Sequence, residues 1–349
     1  MNTPEINPAP WIGLAARMGL FALFAWTCAP ASGAQPLVVA HRGASGYLPE
    51  HTAAAKAYAH ALGSDYIEQD LVLSNDNVPV VLHDIHLDTV SDVAQRFPDR
   101  KRADGRFYAL DFTLAEMKQL QVRERFNAKT GAPVYPGRYP SATSPGTFQI
   151  LTFEEELQLI QGLNRSTGRQ AGIYPEIKQP KWHRDQGRDL SAVVLPILAR
   201  YGYSTKADNC FLQCFELTEV RRLRGELGWK GRLVMLIGGG AKEPDETDNN
   251  RLVTPEGIRE LAQLVDGIGP AMARVVTWTP TGQRRVSELV KLAHAAKLVV
   301  HPYTVRQDDL PKNCPSVDEL HAAIFGEARV DGVFTDFPDV TAAWIRRAP

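Results

Sequence analysis

Short apolar, β-branched runs alternate with amphipathic stretches along most of the chain. The runs are Leu37–Ala40, Tyr66–Leu73, Val78–Leu82, Gly172–Ile177, Cys210–Phe215, Leu233–Ile237, Val265–Ile268, Leu298–Val300 and Gly332–Phe334. Between them, apolar residues at helical spacing predict helices over 51–62, 154–164, 189–201, 218–227, 255–264, 284–296, 317–326 and 338–347. Near-continuous apolar strands separated by helices predict a parallel sheet covered on both faces. Val78–Leu82 follows the Ser74–Asn77 turn and is expected as the hairpin partner of the second strand. Setting it aside leaves eight β-then-α repeats, which predicts an α/β fold, a (β/α)8 TIM barrel, with an open doubly wound sheet as the alternative.

The alternation breaks in three places. Between His86 and Gln149 the chain is rich in charge, aromatics, Pro, Gly and Ser, so residues 87–149 are expected as a small insertion after the second strand. Loops at the C-terminal ends of barrel strands build active sites, which makes this insertion a candidate for shaping access. Residues 238–253 contain a triple glycine, but without the Lys-Ser/Thr of a phosphate loop a flexible linker is the better reading. At the N-terminus, Arg17 precedes the apolar stretch Met18–Ala25, and small residues follow at Ser32 and Ala34. This pattern predicts a signal peptide over 1–34, cleaved before Gln35, leaving 35–349 as the exported domain. The apolar core is too short to span a bilayer comfortably, and no run of 18 apolar residues occurs elsewhere, so stable membrane insertion is not expected.

Composition narrows the function classes. Lys and Arg total 39 against 40 Asp and Glu, a net charge of −1, which argues against a basic nucleic-acid-binding face. Cys210, Cys214 and Cys314 remain after the leader, an odd number that makes no disulfide framework. Cys210 and Cys214 lie four apart in a strand, about 13 Å, too far to bridge.

Polar clusters sit where strands end. Glu68 and Asp70 are two apart in a strand and face one side, and Glu176 offers a third carboxylate from the next strand. Burying these groups together is costly without a cation, and an all-oxygen donor set suits a hard divalent ion. The competing reading, a solvated face, conflicts with apolar neighbours on both sides. His41 and His83 fall at the ends of the first strand and of the hairpin, placed for general acid and base work. Arg42 and Lys178 add positive charge at the same rim and point to an anionic substrate, although Lys178 could instead pair with the carboxylates. His51 and His183 read as surface or supporting residues, and His301 as a weak rim candidate.

The segments HRGASGYLPEHT, DYIEQDLVLSNDNVPVVLHD, GIYPEIK, LQCF, DGIGP, LVVHPYTVR and FTDFPD resemble, in order and spacing, those of bacterial periplasmic glycerophosphodiester phosphodiesterases. The resemblance covers about 37–349. It implies a TIM barrel that hydrolyses small-molecule glycerophosphodiesters, such as glycerophosphocholine and glycerophosphoethanolamine, to sn-glycerol 3-phosphate and an alcohol, in glycerol and phospholipid-breakdown metabolism. It also implies a periplasmic location and a divalent cation, Ca²⁺ as first choice and Mg²⁺ as the alternative. A homodimer is one candidate assembly, and no nucleic-acid partner is implied. By the same resemblance, His41 and His83 are the acid/base pair and Glu68, Asp70 and Glu176 hold the metal. Arg42 and Lys178 contact phosphate, Glu50 is a supporting carboxylate, and Gly43 and Gly46 allow backbone turns.

The expected chemistry is phosphoryl transfer, with either the glycerol 2-hydroxyl or water attacking phosphorus. His41 is expected to take the proton from the attacking hydroxyl and His83 to protonate the leaving alcohol. A phospholipase on the same barrel should carry an exposed apolar rim, and no long apolar loop is present. A solute-binding protein would need no acid/base pair.

Overall fold

The computed structural model describes residues 35–139 and 147–347. The leader expected over 1–34 lies outside the described residues. Eight parallel strands make the barrel: β1 (Leu37–Ala40), β2 (Tyr66–Leu73), β4 (Gly172–Ile177), β5 (Phe211–Cys214), β6 (Arg232–Ile237), β7 (Gly267–Pro270), β10 (Val299–Val300) and β11 (Gly332–Thr335). Their neighbour order is β10-β7-β6-β5-β4-β2-β1-β11. The remaining gap is bridged by backbone hydrogen bonds from Asp331 N to Val300 O (3.0 Å), Phe334 N to Pro302 O (3.0 Å) and Val305 N to Phe334 O (2.8 Å). The barrel reading therefore replaces the open sheet. β3 (Pro79–Val81) pairs antiparallel with the end of β2, the hairpin expected from the sequence.

Side-chain alternation divides each strand between two environments. Ile67, Leu71, Ile173, Ile177, Leu212 and Cys214 point outward and join the main core beneath the helices. The inward residues stack in layers. Val39, Tyr66, Tyr174, Phe211, Val234 and Phe334 plug the barrel, with Tyr174 and Phe211 stacked at 5.0 Å and Phe334 edge-on to Tyr174 at 4.9 Å. One step further along the strands, the inward residues turn polar: Glu68 and Asp70 on β2, Glu176 on β4, Gln213 on β5. Register sets Asp70 opposite Glu176 and Glu176 opposite Gln213. A close-packed aromatic floor thus holds the carboxylates at the C-terminal mouth.

Residues of the insertion build a satellite core, with Leu87, Val93, Phe112, Met117 and Leu120 buried against Val72, Val80 and Ile150 from outside it. It contains short helices at Val93–Arg96 and Leu114–Met117, the latter opened by a Thr113/Glu116 capping box. Tyr108 of this unit stacks on Trp182 of the barrel at 5.5 Å.

Three expectations change. The helix expected over 284–296 is shorter: β9 (Arg284–Val286) pairs with β8 (Val276–Trp278), and the helix runs only from Leu289 to Ala295. The Thr279–Gln283 turn, with Gly282 at φ +79°, closes that hairpin and overrides the helical spacing. His183 lies within a helix, Pro180–Asp185, and is fully buried. Its Nδ1 donates to Gln179 O at 3.0 Å while Nε2 accepts from Leu73 N at 3.2 Å, a structural brace. His301 is not at the rim: it is 1% exposed inside the barrel and bonds the Tyr174 hydroxyl at 3.0 Å.

Candidate active site

The mouth of the barrel holds a cavity of about 280 Å³ lined by His41, Arg42, Glu68, Asp70, His83 and Glu176, together with Gln213, Phe215 and Tyr303. One carboxylate oxygen from each of Glu68, Asp70 and Glu176 lies within 4.8 Å of the others, and all three residues are buried. The solvated-face reading of Glu68 and Asp70 is thereby excluded.

The turn after β1 explains the HRG sequence. Arg42 (φ +57°) and Gly43 (φ +88°) adopt left-handed conformations in succession. A Cβ on Gly43 would stand 2.9 Å from the Ala55 backbone, so glycine is required there. Gly46 serves a different purpose from the expected turn: a Cβ would fall 2.5 Å from the Phe337 ring. The turn aims the Arg42 amide at Glu68 Oε2 (2.8 Å) and leaves His41 facing the cavity.

Each histidine is held by its own aspartate. His41 Nδ1 donates to Asp336 Oδ1 at 2.6 Å, and its Nε2 stands 3.9 Å from Glu68. His83 Nδ1 donates to Asp84 Oδ1 at 2.7 Å. In both, Nε2 is left for the cavity, the arrangement that fixes a tautomer for proton transfer. Burial opposes the charged form of His41, but Glu68 and Asp336 outweigh it and raise its pKa. Burial, reinforced by Arg42 and Lys178, lowers His83 to about 4.

The basic residues are engaged with acids. Arg42 bonds Glu50 at 3.0 Å and approaches Asp70 at 3.7 Å. Lys178 pairs with Glu176 at 2.9 Å, the competing reading raised for it, and lies 3.8 Å from Asp70. Glu50 stands behind the cavity. Arg125 of the insertion grips both its oxygens at 2.7 Å and bonds Asp84 Oδ2 at 2.6 Å. Burial would raise Glu50, but Arg125 and Arg42 hold it well below the usual carboxylate range. His51 is buried rather than at the surface, its Nε2 2.8 Å from Asp70 Oδ2, and burial beside Lys56 keeps it neutral with a pKa of about 3.

The donors fit a hard cation. They are all oxygen, buried and convergent, and Asp70 Oδ1 takes no hydrogen bond. Burial, with Asp70 close by, raises Glu176 well above the carboxylate range despite Lys178, and burial and Asp70 also raise Glu68. Burial and mutual repulsion thus oppose full ionisation of the trio, and a cation would favour it.

Residues 41–340 match the model of the glycerophosphoryl diester phosphodiesterase family. The chain belongs to that family. It is 42% identical over 328 residues to a glycerophosphodiester phosphodiesterase of Haemophilus influenzae, covering 89% of this chain and 90% of the relative. It is 39% identical over 340 residues to one of Treponema pallidum, covering 92% and 94%. The structure of an Oleispira antarctica phosphodiesterase in complex with the product sn-glycerol-3-phosphate superposes with a TM-score of 0.61 at 19% identity, covering 89% of this chain and 97% of that one. A glycerophosphodiester phosphodiesterase of Agrobacterium tumefaciens gives 0.56 at 20% identity, covering 88% and 99%. These structural likenesses carry the fold. Family membership over nearly the whole chain makes this an enzyme that hydrolyses glycerophosphodiesters.

Sequence reasoning brought seven of the residues around this mouth together and missed their supports. Asp84 and Asp336 lie inside the quoted LHD and FTDFPD segments, and their position next to a strand-end His or on the adjoining strand end is the signal that could have found them. Gln213 is a neutral residue on an inward face, visible only through register. Arg125 lies in irregular chain and carries no local signal.

Proposed function

We propose that the enzyme hydrolyses glycerophosphodiesters such as glycerophosphocholine and glycerophosphoethanolamine to sn-glycerol 3-phosphate and an alcohol, with a divalent cation, Ca²⁺ before Mg²⁺, on Glu68, Asp70 and Glu176. The observation that carries this reading is one cavity receiving two aspartate-held histidines and three carboxylates. The product bound in the Oleispira neighbour is consistent with it. Location in the periplasm, after removal of residues 1–34, is part of the same reading.

A divalent cation held by Glu68, Asp70 and Glu176 would supply positive charge at the diester and make the attacking hydroxyl more acidic. Arg42 and Lys178, held at the rim by Glu50 and Glu176, attract the phosphate. His41 Nε2 accepts the proton of the attacking hydroxyl, and His83 Nε2 donates to the leaving alcohol. Without ligands the surroundings bias the two rings the other way, with His41 raised and His83 lowered. The charges responsible are those the ligands cancel. His41 owes its rise to Glu68 and Asp336, and the Glu68 share would be lost once that carboxylate is engaged. His83 is held down by burial, Arg42 and Lys178, and rises once an anionic phosphate faces those cations.

The test is a chelator-treated assay on glycerophosphocholine, with each cation added back separately. Activity should vanish on chelation and return with Ca²⁺, and less with Mg²⁺. Full activity in excess chelator overturns the metal-dependent reading.

A further inference from the structure

Beside the cavity that takes the phosphate lies a second one of about 280 Å³. His83, Glu176 and Phe215 line both, so a diester whose phosphate lies between the histidines would place one arm there. The charges along this second cavity are unequal in their commitments. Lys178 is paired with Glu176, and Asp84 with Arg125 and His83. Two further carboxylates, Glu216 and Glu243, line the wall, and among the described residues neither forms an ion pair. Each is instead fixed through one oxygen: Glu216 Oε2 accepts from Lys181 N at 2.8 Å, and Glu243 Oε1 from Asn249 Nδ2 at 2.6 Å. Glu216 is only 2% exposed, which makes an uncompensated charge there expensive. The shared wall is aromatic, with Phe215 edge-to-face on Tyr303 at 5.7 Å.

We infer that this second cavity is the subsite for the leaving alcohol and that Glu216, Glu243 and Phe215 select a cationic ammonium head group. The inference rests on the hydrolytic reading above and adds a preference to it. Two carboxylates lacking counter-ions, beside an aromatic ring that Lys178 Nζ also approaches at 5.7 Å from the centroid, form surroundings in which an ammonium or trimethylammonium group is stabilised by charge and by the ring quadrupole together. A neutral or anionic alcohol gains neither. The direction also agrees with His83 as the donor to the leaving oxygen, since His83 stands between the two cavities.

The loop that carries Glu243 follows β6, the segment read from sequence as a flexible linker. It is instead tied down: Gly238 N donates to Asn249 Oδ1 at 3.1 Å, and Arg274 Nε donates to Gly238 O at 2.6 Å. Asn249, 0% exposed, both anchors the loop and orients Glu243.

The test compares glycerophosphocholine with its neutral carbon isostere, the 3,3-dimethylbutyl diester, which has the same shape without the charge. Burial raises Glu216 to about 7, so the assay is run at pH 8.5, above that value. In the unaltered enzyme the kcat/KM ratio should favour choline by about tenfold, the range of a partly desolvated cation–π and charge contact. In Glu216→Gln/Glu243→Gln the ratio should fall to about one, and Phe215→Leu should lower it in part. Both substrates are read on the same protein, so any loss of folded enzyme cancels in the ratio. Glu243→Gln alone, at a partly exposed side chain, provides a variant less prone to misfold. A ratio near one in the unaltered enzyme, or one that survives the double substitution, overturns the inference while leaving hydrolysis intact. Hydrolysis of neither diester overturns the reaction assigned to the site, and this preference with it.

Discussion

Cation binding to chelator-treated enzyme should release protons, and the number follows from the carboxylate spacing. Oxygens of Glu68, Asp70 and Glu176 lie within 4.8 Å of one another. Two like charges at that separation, at an effective dielectric of about 20, repel by about 3.5 kcal/mol, or about 300-fold in a protonation equilibrium. Lys178 and Arg42 offset part of this, but Lys178 reaches chiefly Glu176 and Arg42 is shared with Glu50. Asp70, bonded to His51 and facing Lys178, stays ionised, while burial and Asp70 push Glu176 upward. At pH 7 the empty trio should hold about one proton, which a divalent cation must displace. Titration calorimetry with Ca²⁺ in two buffers of different ionisation enthalpy should therefore report release of about one proton per ion. Glu176→Gln should abolish that release and weaken binding. The same group contributes to the pH dependence of stability, in the same sense as Glu124, Glu156 and Glu216. A carboxyl whose folded pKa is raised stabilises the fold fully below its unfolded value, and that stability is lost as pH rises through the folded value. In chelator, Tm should thus fall from the ordinary carboxylate range upward. With free cation at a hundred times Kd the protein should gain about 2.7 kcal/mol, roughly 5 °C, and the slope should flatten. Tight binding with no proton release, or a Tm in chelator indifferent to pH, would refute the reasoning.

Replacing His41 or His83 by Ala should lower kcat by about 10²–10⁴ with a much smaller change in KM. A nitrophenyl leaving group should rescue His83→Ala and not His41→Ala, and rescue of His41→Ala alone reverses the two roles. Arg125→Met leaves Glu50 and Asp84 without their shared guanidinium. It should cost about 3–5 kcal/mol in denaturant melts and reduce kcat through a loosened His83, and an unchanged melt midpoint and kcat would remove the insertion from the support of the site. Exported protein should begin at or near Gln35 on N-terminal sequencing, and cytoplasmic protein retaining Met1 would refute the leader.

What the chain displays locally and what only the fold assembles separate cleanly at this mouth. Period-two alternation in a run buried on both faces was enough to put Glu68 and Asp70 on one side, because in a strand flanked by apolar residues the inward face follows from counting. The same reasoning placed Glu176, since β4 repeats the pattern next in order. It failed over 284–286, where the chain pairs back on Val276–Trp278 through a Gly turn before the helix begins at Leu289. It failed for His301, because a polar residue at the end of an apolar run can point below the mouth as well as above it, and the Tyr174 hydroxyl supplies the partner that makes the lower position tolerable.

The insertion marks the sharper limit. Its residues show no period because they pack on one another and on the barrel through irregular backbone, so nothing in the local pattern singles out Arg125. Yet Arg125 is the cation that lets Glu50 and Asp84 remain charged side by side: it bonds both, with Glu50 in turn holding Arg42 and Asp84 holding His83. Tyr135 of the same insertion donates to Asp336, the partner of His41. Both histidines are therefore oriented through aspartates that the insertion completes. An insertion acting only as a cover would touch the cavity's edge, whereas this one reaches the aspartates behind His41 and His83. The barrel supplies the carboxylates, the histidines, Arg42 and Lys178, and the chain between β3 and β4 supplies the guanidinium and hydroxyl that hold their supports in place.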